Sequence, residues 1–183
     1  MEEAELRRLQ AELASAGLEL GTPVWLGRAI AAPAADLWKM ISTPGQLHKY
    51  HPYCKANEVR RWPGPGSCDG VTYHSGLFMQ RDFMYWREGI GYDLQIGPPP
   101  RKSAWISWRI HRIGEGASEL SLKVTPILES HLLASTKRAF EETYFGKIVE
   151  LYLDHLLRGA EHFVLTGLPV RPRQFGVHPI YAP

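Results

Sequence analysis

The feature that most restricts what this chain can become is the segment 136–165, thirty residues without a proline and with only Gly146 and Gly159 as weak helix formers. Phe140, Tyr144, Ile148, Leu151 and His155 recur at helical spacing along one stripe, and Phe145, Val149, Tyr152, Leu156, Ala160 and Phe163 along a second. A helix apolar over so wide an arc must be covered on more than one side. Gly167 is placed to end it.

What covers it is read from the residues before it. Segments 57–62 and 70–76 flank the turn sequence Pro63-Gly64-Pro65-Gly66-Ser67, and 80–89, 92–96, 104–113 and 118–128 follow between Gly-rich or Pro-rich breaks. Several alternate. Ala104, Ile106, Trp108 and Ile110 share one face of their strand, with Trp105, Ser107, Arg109 and His111 on the other; Leu120, Leu122 and Val124 oppose Ser121 and Lys123; Tyr92, Leu94 and Ile96 oppose Asp93 and Gln95. Upstream, 22–32 reads as a strand, 32–42 as a helix with Pro33 in its first turn, and 46–50 as a brief helix ending before Pro52. The expectation is an α+β fold: a curved antiparallel sheet of about seven strands wrapped around a long C-terminal helix, with two short helices after the first strand.

Both ends read as additions. Residues 2–16 carry Leu6, Leu9 and Leu13 at helical spacing among charges, a narrow stripe that suits packing on the domain, covering a cavity mouth or dimerising. After Gly167, prolines at 169, 172, 179 and 183 predict an extended tail over the surface or against a partner. The expected division is therefore 1–20 appended helix, 21–167 ligand-binding domain and 168–183 tail, with a homodimer through the extensions as one use of them.

At 183 residues the chain suits one domain. Lys and Arg total 21 against 19 Asp and Glu, too even a balance to recruit nucleic acid. No apolar run reaches the roughly 20 residues of a membrane span, and Met1-Glu2-Glu3-Ala4-Glu5 lacks the basic start of a signal peptide, so the expected location is cytoplasmic. Cys54 and Cys68 are expected to stay free. If the turn places Trp62 opposite Cys68, Cys54 lies about 26 Å away along its strand, far beyond the roughly 7 Å that a disulfide allows.

The order strand, two short helices, six strands, long helix resembles the START and birch-pollen-allergen-like superfamily, also called SRPBCC, whose fold is the helix grip. Ile30-Ala31-Ala32-Pro33-Ala34-Ala35-Asp36-Leu37-Trp38 is similar to the exit from that family's first strand, and Thr43-Pro44-Gly45-Gln46-Leu47 with His51-Pro52 to its second-helix segment. The resemblance covers about 24–165. It implies a cavity for a lipid, sterol, isoprenoid or polyketide-like molecule, and among family members both carriers and enzymes, polyketide cyclases included.

Candidate cavity residues are Tyr73, Tyr92, Trp108 and Tyr144, each on the apolar face of its element; a tyrosine there offers an apolar ring and one polar tip. The strand around Arg81-Asp82-Phe83-Met84-Tyr85-Trp86-Arg87-Glu88 adds Arg81, Tyr85 and Trp86. Either Arg81, Phe83, Tyr85 and Arg87 face inward, or Asp82, Met84, Trp86 and Glu88 do; a bulge would mix the sets. An inward charge must find a partner. His74 and His111 fall on outward faces, and His155 alone lies on an apolar stripe.

His48, His51 and Cys54 have the spacing His-x-x-His-x-x-Cys, which matches no standard zinc site, and Gly64-Pro65-Gly66 and Gly89-Ile90-Gly91 lack the strand-to-helix setting of a phosphate loop. No cofactor is expected. The expected function is binding, or transport, of a hydrophobic small molecule between sheet and helix, with a cyclase or aromatase acting on such a molecule as the first alternative and a protein-interaction module using the termini as the second.

Overall fold

The computed structural model describes residues 3–183; Met1 and Glu2, at the start of the expected first helix, lie outside the described residues. Helix α1 (Glu3–Ser15) leads into β1 (Leu18–Leu20) and β2 (Val24–Ile30), followed by α2 (Ala34–Ser42) and α3 (Leu47–Tyr50). Strands β3 (Cys54–Arg61), β4 (Cys68–Tyr73), β5 (Phe78–Arg87), β6 (Gly91–Gly97), β7 (Ala104–Gly114) and β8 (Ala117–Glu129) then run to α4 (Ala134–Phe140), a π-turn (Glu141–Phe145) and α5 (Gly146–Thr166). Every strand pairing is antiparallel. The strands order as β1-β8-β7-β6-β5-β4-β3, with β2 also on β8. This is the helix grip that the sequence predicts, with eight strands among the described residues because the three-residue β1, too short to show a period, pairs with the far end of β8.

The grip closes through particular residues. On the inner face Leu94, Leu120 and Leu122 share one buried core with Leu153, Leu156 and Ala160 of α5. Gly159 lets α5 touch α3, since a Cβ there would lie 2.1 Å from the Tyr50 carbonyl oxygen. Gly167, in the left-handed region at φ 72°, ends the helix as expected. The π-turn is anchored by Glu141, whose carboxylate accepts the Thr22 backbone N–H at 2.6 Å and its hydroxyl at 2.9 Å.

Both terminal extensions pack on this body. Leu9 and Leu13 of α1 cover Trp105 on the outer face of the sheet, in a cluster separate from the main core. The C-terminal segment is turned rather than extended: His178 and Ala182 are fully buried and bond each other's backbone. Val170 N–H donates to the Lys49 carbonyl, Ser75 N–H to that of Tyr181, and His178 Nε2 bonds the Ile148 carbonyl at 3.1 Å. The prolines at 169, 172 and 179 keep this segment out of helix and sheet, and its aromatic rings supply the burial that holds it.

Around the turn at 63–67 the register differs by one from the expectation: Arg61, not Trp62, faces Cys68, after a shift between Val59 and Arg61. Both cysteines are free.

Candidate functional site

Aromatic side chains divide the inside of the grip into a filled end and an open end. At the filled end Trp86 stacks on Tyr92, with ring centroids 5.4 Å apart, and meets Trp38 at 5.4 Å and Trp62 at 5.0 Å. The indole N–H of Trp38 donates to Glu88 Oε1 at 2.6 Å, and that of Trp62 to the Ser42 carbonyl at 2.9 Å. At the open end lies a cavity of about 950 Å³ between the ends of β6, β7 and β8, the π-turn with the first turns of α5, and the C-terminal segment. Ile96, Ile106, Val124, Phe145, Ile148 and Val149 make its walls, Tyr73, Tyr152 and Tyr181 its inner end, and Tyr144, Arg101 and Glu129 stand toward solvent. Behind Tyr73 and Tyr152 is a second chamber of about 20 Å³, bordered also by His51, Arg81 and Trp108. That volume is enough for one water molecule, and His51, Arg81 and the two phenols border it.

The sequence-predicted residues are thus distributed rather than gathered. Tyr73 lines both spaces, Tyr144 only the outer one, and Trp108 and Arg81 only the inner chamber. Tyr92 and Trp86 belong to the filled end and line neither. Tyr85 points the other way, onto Trp105 beneath α1, with ring centroids 6.1 Å apart. The cause is a bulge. Phe83 pairs with Leu94 and Tyr85 with Asp93, leaving Met84 as the extra, exposed residue, so that Arg81, Phe83 and Trp86 face inward and the two alternative sets are mixed. Tyr144 is 48 % exposed, because the wider π-turn swings its side chain to the rim.

Arg81 finds the partner that its burial requires. It is 6 % exposed and opposite Asp69 in the β4–β5 register; its Nε donates to Asp69 Oδ1 at 2.7 Å, and its Nη2 to Oδ2. Asn57 Nδ2 adds a third donor to Asp69 at 3.0 Å. The pair is closed and neutral, and the guanidinium also rests over the Phe83 ring at 5.2 Å. Desolvation opposes the charge on Arg81, and Asp69 outweighs it and keeps the guanidinium protonated.

The polar group of the cavity itself is a chain that starts at the backbone. His51 Nδ1 accepts the Tyr53 N–H at 3.2 Å, so the proton of the neutral ring resides on Nε2. Nε2 lies 2.6 Å from the Tyr152 hydroxyl and donates to it; the Tyr152 and Tyr73 hydroxyls are 3.1 Å apart. Two phenol protons serve one mutual bond, which leaves one O–H of the pair to bond whatever enters beside it. Burial, then the nearby Arg81 charge, lowers the His51 pKa to about 3, while burial raises both phenols. The arrangement is a stationary donor: His51 has no free lone pair to receive a proton, and the phenols do not ionise near neutrality.

Sequence alone offers His51 as a possible metal ligand and within the His51-Pro52 segment, and Tyr152 as part of a stripe, while Asp69 lies one residue outside the segment that reads as a strand. Extending the strand at 70–76 back by one residue gives Asp69 the parity of Val71 and Tyr73, a legible signal. The metal spacing does not converge: His48 is exposed, and both His51 nitrogens are already bonded. His155 is buried and bonded through Nδ1 to the Tyr53 hydroxyl. Among the described residues no helix is long and apolar enough to cross a membrane.

No protein-family model matches the chain, and no curated protein matches it in sequence. Solved structures match it in shape. A START superfamily protein from Mycobacterium smegmatis superposes with a TM-score of 0.61 at 15 % identity, over 79 % of this chain and 98 % of that one. Truncated norcoclaurine synthase from Thalictrum flavum gives 0.60 at 14 % identity, over 79 % and 94 %. Ara h 8.0201 gives 0.58 at 17 % identity, over 82 % and 99 %. At these identities the likeness is one of fold, and the chain is a helix-grip protein in the architectural sense that these three share.

Proposed function

We propose that this protein binds, and carries, a hydrophobic small molecule of lipid, sterol, isoprenoid or polyketide-like character in the cavity between its sheet and C-terminal helix. The observation that carries this reading is the pairing of a largely apolar space of about 950 Å³ with one polar cluster, Tyr73–Tyr152–His51, at its inner end. Apolar walls supply the affinity, and the phenol orients one oxygen of the ligand. Tyr73, Tyr152 and the rim residue Tyr144 are the proposed contacts, with Arg81 and Trp108 behind them. Arg81 acts through the inner chamber and not by direct contact.

The enzyme reading draws support from the same donor, which would steady an enolate oxygen. Against it stands the wiring of His51, which donates and is not free to accept, so that this imidazole is no base for the donor's substrate. Removing both hydroxyls, in Tyr73→Phe/Tyr152→Phe, separates the two, since either phenol alone would still leave one O–H for the ligand. A carrier loses affinity by about 0.5 to 1.5 kcal/mol, whereas a cyclase relying on that donor loses about a hundredfold or more in turnover. Native mass spectrometry of protein purified from its source tests the reading directly: a co-purified apolar molecule is expected, and a cavity that neither retains nor takes up any apolar compound would refute it.

A further inference from the structure

We infer that the inner end of this cavity selects ligands whose buried polar group is a neutral acceptor, a ketone, quinone or ester carbonyl, and rejects ammonium and carboxylate groups at that position. The inference deepens the proposed binding role and rests on it.

The backbone N–H of Tyr53 orients His51, His51 donates to Tyr152, and Tyr152 and Tyr73 share one hydrogen bond. Whichever way that shared bond points, one phenol O–H remains and calls for an acceptor. A carbonyl oxygen satisfies it. An ammonium group brings only further donors, and among the described residues no free carboxylate stands at the inner end to receive it: Asp69, beside the inner chamber, is 1 % exposed and already takes Arg81 twice and Asn57 once. The acidic residues on the cavity wall, Glu12 and Glu129, are exposed and stand at the opposite, solvent end.

A carboxylate fares no better, although a guanidinium is near. The charge of Arg81 is matched by Asp69, so that a second carboxylate would add a net negative charge to a desolvated space. Arg81 also lies behind the two tyrosines, in the chamber of about 20 Å³, which has room for a water and not for a carboxylate. Of the basic residues on the cavity wall, Arg101 is exposed toward solvent and Lys102 is paired with Asp82, so uncharged carbonyl ligands avoid both costs and use the free O–H at the inner end.

The test is a matched series of probes on the full chain near neutral pH, titrated by calorimetry: 2-acetylnaphthalene, 2-ethylnaphthalene, 2-naphthoate and 1-(2-naphthyl)ethylamine, which place a carbonyl, a methylene, a carboxylate and an ammonium at one position of one scaffold. The acetyl compound is expected to bind about 3- to 10-fold tighter than its ethyl isostere, the range of a neutral hydrogen bond, and both charged compounds weaker than either. In Tyr73→Phe/Tyr152→Phe the acetyl advantage should vanish while the ethyl compound binds as before. The wild-type series decides the matter even if the double variant fails to fold. Equal binding of acetyl and ethyl compounds overturns the selectivity and leaves the hydrophobic-carrier reading intact, and so does tightest binding by the naphthoate or the amine. Binding by none of the four overturns both.

Discussion

The Tyr152 hydroxyl lies 2.6 Å from Nε2 of His51, and this contact ties the second turn of α5 to the segment between α3 and β3. It joins residues 101 positions apart in sequence and stands directly behind the cavity. Tyr152→Phe would strand a buried imidazole N–H, so a loss of about 1 to 3 kcal/mol in unfolding free energy is expected by urea titration. Tyr73→Phe removes only the outer end of the chain and should cost less than Tyr152→Phe; the reverse order would show that the chain is not anchored at His51.

Asp69 and Arg81 form the other buried polar unit, and they should behave as a unit. Asp69→Asn leaves a guanidinium 6 % exposed without its counter-charge, with an expected loss of about 3 to 5 kcal/mol. Asp69→Asn combined with Arg81→Met removes both charges and should recover much of that loss. A double-mutant cycle measures the coupling, and additive effects would contradict a closed pair.

Acid should destabilise the fold early. His51, His155 and His178 all titrate below the ordinary 6.5, in each case first because burial disfavours the charged ring, and His51 lies at about 3. A histidine with a folded pKa below its unfolded one binds fewer protons in the folded state. Its stabilisation is complete above about 6.5 and declines as pH falls, by roughly 1.4 kcal/mol per unit for each such ring, down to its folded pKa. Unfolding free energies at pH 7.5, 6.5 and 5.5 should therefore fall with increasing slope, and His51→Gln should flatten the slope. A pH-independent profile over this range would contradict the buried, neutral state of these rings.

The two termini are expected to differ in what they contribute. Removing residues 1–17 uncovers Trp105 and Tyr85 on the outer face but leaves the main core untouched, so a cooperative transition should persist at lower stability, with altered tryptophan fluorescence. Removing 168–183 takes away His178 and Ala182, and also Tyr181, whose ring lies 4.4 Å from Tyr73 and 5.0 Å from Tyr152. Truncation there should open the cavity and weaken ligand binding as well as stability. Binding unchanged in the tail-truncated protein would mean that Tyr181 is no part of the site.

Gly159→Ala tests the closure of the grip. A methyl group would have to displace the Tyr50 carbonyl oxygen from 2.1 Å, and a loss of about 1 to 3 kcal/mol is expected where an exposed helical glycine would have gained stability. Thermal melting of this single variant gives the sign.

What the sequence determined by itself is everything governed by local periodicity. The alternation in 104–113 and 118–128, the two apolar stripes of 136–165 and the breaks between strands specify an antiparallel sheet wrapped on a helix, because a period of 2 or 3.6 is written along the chain. The inward parity of Tyr73 and Trp108 follows from the same rule. What only the tertiary structure decided is whatever depends on residues far apart. One extra residue at Met84 turned Trp86 inward and Tyr85 outward, a shift that leaves no mark on composition or period. The pairing of His51 with Tyr152 and the fold-back of the C-terminal segment depend on where α5 lies, and the π-turn decided that Tyr144 stands at the rim. Hydrogen bonds across such distances are set by the packing that brings the groups together, and packing is a property of the assembled core, not of any one segment.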